Sequence, residues 1–343
     1  MDILRVAPSA ITNWSYNKNR VEFVIEAELP SAESDDSYTY TYTLALERVG
    51  AGLLPQNPVL EVDREELVVD GPGFPETTLL KNERDGVKLL HEDKYKSGEH
   101  DLYVATTSPR GQTMLSRLYD LKSNALANGF KRYMNNWSYF SFERQALEDP
   151  SYTPNQVVLG PQGQGLSSAL YQVKQSDEMT YRSIIECLQA IEPSVEVINF
   201  FGAGNEKQVF MVFEDRARNR LPAYMLSDGT IRFLAIVYVL LVAPRLSHPY
   251  KPFVILEEPE NGIYAGILRR ILDLLKDSPN PPQTLFTTHA PYLIDLFDDS
   301  LDWVFVTNKD EYRSTIKPVD RAAAEKRLKT MPLGEQHYQG LLK

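Results

Sequence analysis

Between Lys251 and Asn308 the sequence alternates short apolar runs with amphipathic stretches: KPFVILEEPE, GILRRILDLLKD, QTLFTTHAP, APYLIDLF and LDWVFVTN. Unbroken apolar runs of this length suit strands buried on both faces, as in a parallel sheet. The stretches between them are long enough to return the chain as helices. Strand, helix, strand, helix, strand therefore predicts a parallel sheet covered by helices, with LDWVFVTN as its third strand. Ligands of such sheets bind at the carboxyl ends of the strands, where Glu257, Glu258 and His289 fall.

The first hundred residues have a different period. VEFVIEAEL (Val21 to Leu29) and YTYTYTLALERV (Tyr38 to Val49) alternate apolar or aromatic residues with polar ones, and loops rich in Pro, Gly, Ser and Asp separate them. LEVDREELVVD and GVKLLHED continue the pattern, which predicts an antiparallel sheet with one buried face. From about Gly111 the spacing turns helical in TMLSRLYDLKSNALANGFKRYMNNW, LSSALYQVKQ and TYRSIIECLQAIEP. Three segments follow: 1–105, an antiparallel β-subdomain; 106–200, a helical insertion; 201–343, an α/β lobe. The fold class expected is α/β, a parallel sheet with flanking helices plus these two additions.

Composition narrows the function. The net charge of −11 argues against a broad basic groove for nucleic acid. A local patch at Lys131, Arg132 and Arg144 keeps DNA as a candidate partner. The single cysteine, Cys187, allows no disulfide within the chain and points to a reducing compartment. The N-terminus MDILRVAPSAITNW has no charged leader before an apolar run. The longest apolar run, FLAIVYVLLVA, falls well short of the roughly 20 residues a membrane-spanning helix needs. These features predict a soluble, cytoplasmic protein without a membrane partner.

Three segments carry candidate chemistry. In LSDGTIRFLAIVYVLL, Ser227 and Asp228 suit a helix N-cap, and Gly229 admits close backbone approach. Free N–H groups there, backed by the helix dipole, would attract an anion. In FVILEEPENG, Glu257 and Glu258 emerge where a buried strand stops before Pro259. One carboxylate can hold Mg²⁺ while its neighbour orients or deprotonates water. In TLFTTHAPYLIDLF, His289 ends a strand ahead of a helix opened by Pro291, where an imidazole can hydrogen-bond a phosphate. Singly, each has an ordinary structural reading as a cap, a pair of solvated acids or a hydrogen-bonding histidine.

In this order and spacing, the three segments resemble the ABC-type ATPases, most closely the SMC/RecF/OLD-like branch of AAA-type ATPases. LSDGTIR is similar to the signature motif, FVILEEPENG to the Walker B motif with its catalytic glutamate, and TTHAP to the switch histidine. PLGEQHYQGLL is similar to the closing segment of these proteins, and GQGLSSALYQVKQ to a segment inside their helical insertion. The resemblance implies an ABC-type ATPase core, ATP and Mg²⁺ as ligands, and two protomers enclosing two nucleotides. It implies Glu257 as the metal acid, Glu258 as the base that aligns water, and His289 on the γ-phosphate. Leu226, Ser227, Asp228 and Gly229 would face the nucleotide of the opposite protomer.

One element is missing from the resemblance. Walker A loops read G-x-x-x-x-G-K-[ST], and no such stretch occurs in the sequence. GPQGQGLSS has Gly160, Gly165 and Ser167 in register but Leu166 at the lysine position. It is expected to be a turn into a helix of the insertion. Truncation, a P-loop-bearing partner subunit, or loss of hydrolysis would each account for the missing loop. Two functions stay open at this stage: a nucleotide-driven switch in DNA maintenance or phage defence, and a silent scaffold that keeps the ATPase shape. The fifty-odd residues after His289 hold no cluster of strand-borne acids, so no nuclease activity is expected.

Overall fold

The computed structural model describes residues 20–30, 36–49, 59–84, 86–98, 103–106, 110–119, 122–152, 159–203, 208–246, 250–309 and 314–342. The chain forms two compact units, 1–135 with 301–322 and 342–343, and 136–300 with 323–341. Compactness thus divides it in two where sequence character divides it in three.

The first unit begins with a six-stranded antiparallel meander. Its strands are β1 (Arg20–Pro30), β2 (Ser37–Val49), β3 (Val59–Gly71), β4 (Phe74–Glu83), β5 (Gly86–Leu90) and β6 (Tyr103–Thr106), paired in sequence order. Period-two alternation sets its buried face: Tyr38, Tyr40 and Tyr42 of β2 point inward, while the threonines between them point outward. Helices α1 (Glu92–Lys96), α2 (Met114–Arg117) and α3 (Ala125–Asn135) accompany the sheet. Ala127, Phe130 and Tyr133 of α3 recur at helical spacing and are buried. The Phe130 ring lies 5.3 Å from that of Tyr40 and 5.5 Å from that of Tyr42.

The second unit is built around a three-stranded parallel sheet. β7 (Trp137–Phe140) pairs with β12 (Phe253–Glu257), which pairs with β13 (Gln283–Thr287), in the order β13-β12-β7. Between β7 and β12 run α4 (Arg144–Glu148), β8 (Ser151–Tyr152), α5 (Leu166–Ser176), α6 (Glu178–Ile191), β9 (Val195–Ala203), β10 (Gln208–Asp215), β11 (Arg220–Pro222) and α7 (Asp228–Leu246). β10 pairs antiparallel with β8, β9 and β11. Residues 106–200, expected from their spacing to be helical, also hold β7, β8 and most of β9.

Helix α7 is apolar on every side because it is the centre of this core. From Ile231 to Leu240 only Arg232 is not buried, and α4, α6 and α8 (Ala265–Asp277) pack around the helix. Each fully buried Leu or Ile there contributes about 1.5–3 kcal/mol. Val254 and Leu256 of β12 face the same core. Cys187 sits half-buried on α6 against it.

After β13 come α9 (Pro291–Ile294) and then β14 (Phe305–Lys309) and β15 (Ser314–Pro318), which form a two-stranded antiparallel hairpin. LDWVFVTN is therefore not the third parallel strand. Leu301–Trp303 make a 3₁₀ turn, and β14 belongs to the first unit. The third parallel strand is β7, drawn from before the helices. Helices α10 (Arg321–Leu328) and α11 (Leu333–Tyr338) close the chain, and α11 returns to α9. Gly334 fits there because a Cβ would meet the Pro291 carbonyl oxygen at 2.1 Å.

The fold is mixed α/β, with a helix-covered parallel sheet, antiparallel sheets and inserted helices, as the sequence predicts. Among the described residues no helix is long and apolar enough to cross a membrane.

Candidate functional site

Parallel pairing brings Glu257 of β12 opposite Thr287 of β13, so the two strands end together. Glu258 follows immediately, its N–H donating to the Thr287 carbonyl at 2.9 Å. Its φ of +42° lies in the left-handed region, which a residue with a side chain enters at a cost of about 1–3 kcal/mol. That turn directs its carboxylate back toward the end of β13. There His289 Nε2 lies 4.0 Å from Glu258 Oε1, with the imidazole side chain 86% exposed. The three strand-end residues predicted to act on phosphate are thus gathered at one edge.

Each of the two acids already has a partner. Tyr139, near the end of β7, donates its hydroxyl to Glu257 Oε2. That hydrogen bond, more than partial desolvation, raises the phenol above its ordinary value. Asn261 Nδ2 donates to Glu258 Oε2 at 2.7 Å, and Asn261 N–H donates to the Glu258 carbonyl at 3.0 Å. Glu260 is buried. Its Oε1 accepts from the Thr288 hydroxyl at 2.5 Å and from the His289 N–H at 3.4 Å. Burial, and then the Glu260 charge, raise the Tyr292 hydroxyl above its usual range.

The signature-like segment reaches this edge through the turn that follows β12. Ser227 caps α7: its Oγ accepts from the Thr230 N–H at 3.1 Å and lies 2.6 Å from the Thr230 hydroxyl. A Cβ on Gly229 would meet the Gly262 carbonyl oxygen at 2.6 Å, and one on Gly262 would meet Asp228 Oδ2 at 2.2 Å. Gly262 has φ +74°. Two glycines thus allow the start of α7 to lie flat on residues 258–262. Asp228 is fixed by Arg232 Nε at 2.9 Å, and Arg232 also donates to the Phe142 carbonyl. Ser227 is exposed, whereas Leu226 is a core residue. The Leu226 carbonyl accepts from Arg144 at 3.0 Å and its N–H donates to Ala223 at 3.1 Å, so both backbone groups are engaged within the chain.

The glycine loop at residues 160–165 has a packing explanation. Ser141 N–H donates to the Pro161 carbonyl and Glu143 N–H to the Gln162 carbonyl, which ties the loop to the chain leaving β7. Gly163, at φ +101°, faces Leu147, whose Cδ2 would lie 2.3 Å from an added Cβ. Gly165 adopts a left-handed N-cap for α5. Leu166, where a phosphate loop has lysine, is fully buried in the hydrophobic core.

Lys131 donates to the Ser116 and Leu118 carbonyls, and Arg144 pairs with Glu148 at 2.7 Å. The cations considered for DNA therefore have protein partners. Among the described residues, no group of three or more His, Cys, Asp or Glu side chains forms a metal-sized cluster. The Glu257–Glu258 pair is a hard-oxygen set of the kind that suits Mg²⁺, an ion that usually takes one or two carboxylates and completes its shell with phosphate and water.

An acid-tipped buried strand, a histidine just past the end of its neighbour and a glycine-fitted helix start thus meet at one edge of an α/β unit. A family model described as "AAA domain, putative AbiEii toxin, Type IV TA system" matches residues 73–295, and the chain belongs to that family of AAA ATPase domains. Among solved structures, one from work on ATP-driven dimerization and DNA-stimulated activation of SMC ATPases shares 16% identity. It covers 47% of this chain and 95% of its own, with a TM-score of 0.33. The SmcHead bound to the C-winged helix domain of ScpA shares 10% identity, covering 90% of this chain and 76% of its own, with a TM-score of 0.41. No curated protein matches the sequence.

The sequence pattern alone assigns no role to Glu260, Asn261 or Tyr139. EEPENG reads as a run of solvated acids, and only the fold shows which acid is covered. WSYF is too short for its period to announce a strand.

Proposed function

We propose that this chain binds Mg-ATP at the shared end of β12 and β13 and hydrolyses it as part of a nucleotide-driven conformational switch. The observation that carries this reading is the convergence of Glu257, Glu258 and His289 there, with Glu258 held in a strained backbone conformation. Strain of this kind persists where the surrounding structure over-determines it, commonly at functional sites.

In this reading Glu257 would hold Mg²⁺, which neutralises phosphate charge when bound. Glu258 orients water and accepts its proton. His289, exposed and adjacent, donates a hydrogen bond to the terminal phosphate. Ser227 and the N–H groups at the start of α7 face the nucleotide of a second protomer. Gly229 lies against Gly262, so movement of that helix start is transmitted to the turn bearing Glu258 and Asn261. A P-loop-bearing subunit supplies the lysine contact that GPQGQGLSS lacks. The setting proposed is DNA maintenance or phage defence; the family description itself names a putative toxin of a Type IV TA system. Direct DNA contact has less support, since Lys131 and Arg144 have internal partners.

Turnover of ATP by the purified protein tests this reading. Glu258→Gln should lower kcat about 100-fold or more, and His289→Ala about tenfold to 100-fold. Equal turnover in all three proteins would defeat it. A silent scaffold is the second reading. It is favoured by the internal engagement of Tyr139 with Glu257 and of Asn261 with Glu258. It predicts self-association that does not respond to nucleotide.

A further inference from the structure

Beyond Glu257 and Thr287 the β12–β13 ladder stops, and the two chains part into separate turns. One turn carries Glu258 and the other His289. A single backbone bond, from Glu258 N–H to the Thr287 carbonyl, extends the ladder by one residue. Past that point the side chain of Glu260 joins the turns. Its Oε1 accepts from the Thr288 hydroxyl at 2.5 Å and from the His289 N–H at 3.4 Å. The Thr288 oxygen in turn accepts from the Ala290 N–H at 2.9 Å. Glu260 thus anchors the three residues Thr288, His289 and Ala290 that set where the imidazole sits.

The acid is an expensive choice for a surface turn. Glu260 is 5% exposed, has no ion-pair partner among the described residues, and its Oε2 is buried without a hydrogen bond. Burying a carboxylate with one oxygen unpaired is costly. The bond it makes is the short, charge-assisted kind, which fixes geometry better than a neutral one. Its own turn is rigid as well, with Asn261 N–H on the Glu258 carbonyl at 3.0 Å and Ile263 N–H on the Glu260 carbonyl at 2.9 Å.

We propose that Glu260 is a positioning residue: it clamps the Thr288–Ala290 turn onto the turn after β12 and thereby sets the approach of His289 to Glu258. The catalytic consequence rests on the ATPase reading above, whereas the clamp itself does not. Glu260 touches neither nucleotide nor water in this account and acts through His289.

The test separates the two claims. With ¹³Cε1-labelled histidine, the His289 resonance is assigned by its loss in His289→Gln, and its shift in response to Glu258→Gln is measured without nucleotide. In Glu260→Ala that response should fall below about half its parental size, as expected when coupled neighbours are released. Glu260→Gln, which keeps the accepting oxygen, should retain most of it. Thr288→Val removes the donor instead of the acceptor and should match Glu260→Ala, which covers the case in which the alanine variant does not fold. Undiminished responses in Glu260→Ala or Thr288→Val overturn the clamp, as does a Gln variant that behaves like Ala. In turnover, Glu260→Ala should lower kcat about tenfold or more with KM little changed, and Gln should rescue it. A parent that does not hydrolyse ATP would refute the ATPase reading, while the resonance result would still decide the clamp.

Discussion

Two buried glutamates, one in each unit, show how differently this chain treats its acids. Glu65 of the antiparallel sheet is fully buried, and both of its oxygens are satisfied. Oε1 accepts from the Tyr42 hydroxyl at 2.9 Å and the Leu115 N–H at 2.9 Å. Oε2 accepts from Asn82 at 3.2 Å and the Met114 N–H at 2.6 Å. Glu260 of the parallel unit is nearly as buried, yet one oxygen is shared between Thr288 and His289 and the other has no partner. Two residues before it, Glu258 occupies a backbone region that side chains avoid. The saturated acid belongs to a framework, where each donor has its acceptor and the gain is stability. The half-satisfied acid and the strained one lie at the strand ends, where stability has been given up for placement.

That contrast can be broken at several points. Glu65→Ala strands four donors around a buried void, two of them backbone N–H groups at the start of α2. It should destabilise the protein by about 3–5 kcal/mol in urea unfolding. A loss under about 1 kcal/mol would show that water replaces the carboxylate and that the framework role is overstated. Glu92, a second framework acid, accepts from the Leu126 and Ala127 N–H groups at 2.7 and 3.1 Å. Burial nevertheless outweighs these bonds and pushes its carboxyl from 4.5 up to about 7. Between those values the unfolded chain ionises while the folded carboxyl keeps its proton. Stability should therefore fall as pH rises through that window, by up to about 3 kcal/mol, and level off above it. Glu92→Gln should flatten that part of the stability–pH curve; an unchanged slope would assign it elsewhere.

Two smaller effects sharpen the other side of the comparison. Gly229→Ala sets a methyl against the Gly262 carbonyl and should cost about 1–3 kcal/mol. It should also shift the amide resonances of residues 258–262, and a silent spectrum there would uncouple the start of α7 from the acids. Glu258→Gly relaxes the φ of +42° and should raise stability by about 1 kcal/mol, visible as a higher Tm, while removing the carboxylate. A lower Tm would mean that the conformation carries no strain.

The strand-end residues and the mixed α/β class are easier to read from the sequence than the strand pairing between them. Glu257, Glu258 and His289 could be found because buried parallel strands read as unbroken apolar runs and their ends are marked by Pro259 and Pro291. GPQGQGLSS could be set aside because Leu166 stands where lysine is required, and the core has claimed that side chain. β14 was misassigned because VFV imitates a buried parallel strand. Its actual pattern alternates, with Phe305 exposed and Val306 buried, as a hairpin requires. β7 escaped notice because four residues of mixed polarity carry no period, and its membership of the sheet is decided by pairing with β12 across more than a hundred residues. Glu260 was hidden for a related reason. An acid's burial depends on what packs over it, and here that is a turn nearly thirty residues downstream.

The most direct test of the central claim is equilibrium binding of Mg-ATP to the purified chain, compared with Glu258→Gln. The account predicts binding that is weak for want of a phosphate loop, yet saturable, and that tightens in the mutant because hydrolysis no longer empties the site, together with nucleotide-dependent self-association. Absence of binding at millimolar nucleotide in both proteins would contradict it, and would leave the strand-end residues as parts of a scaffold that keeps the shape of an ATPase.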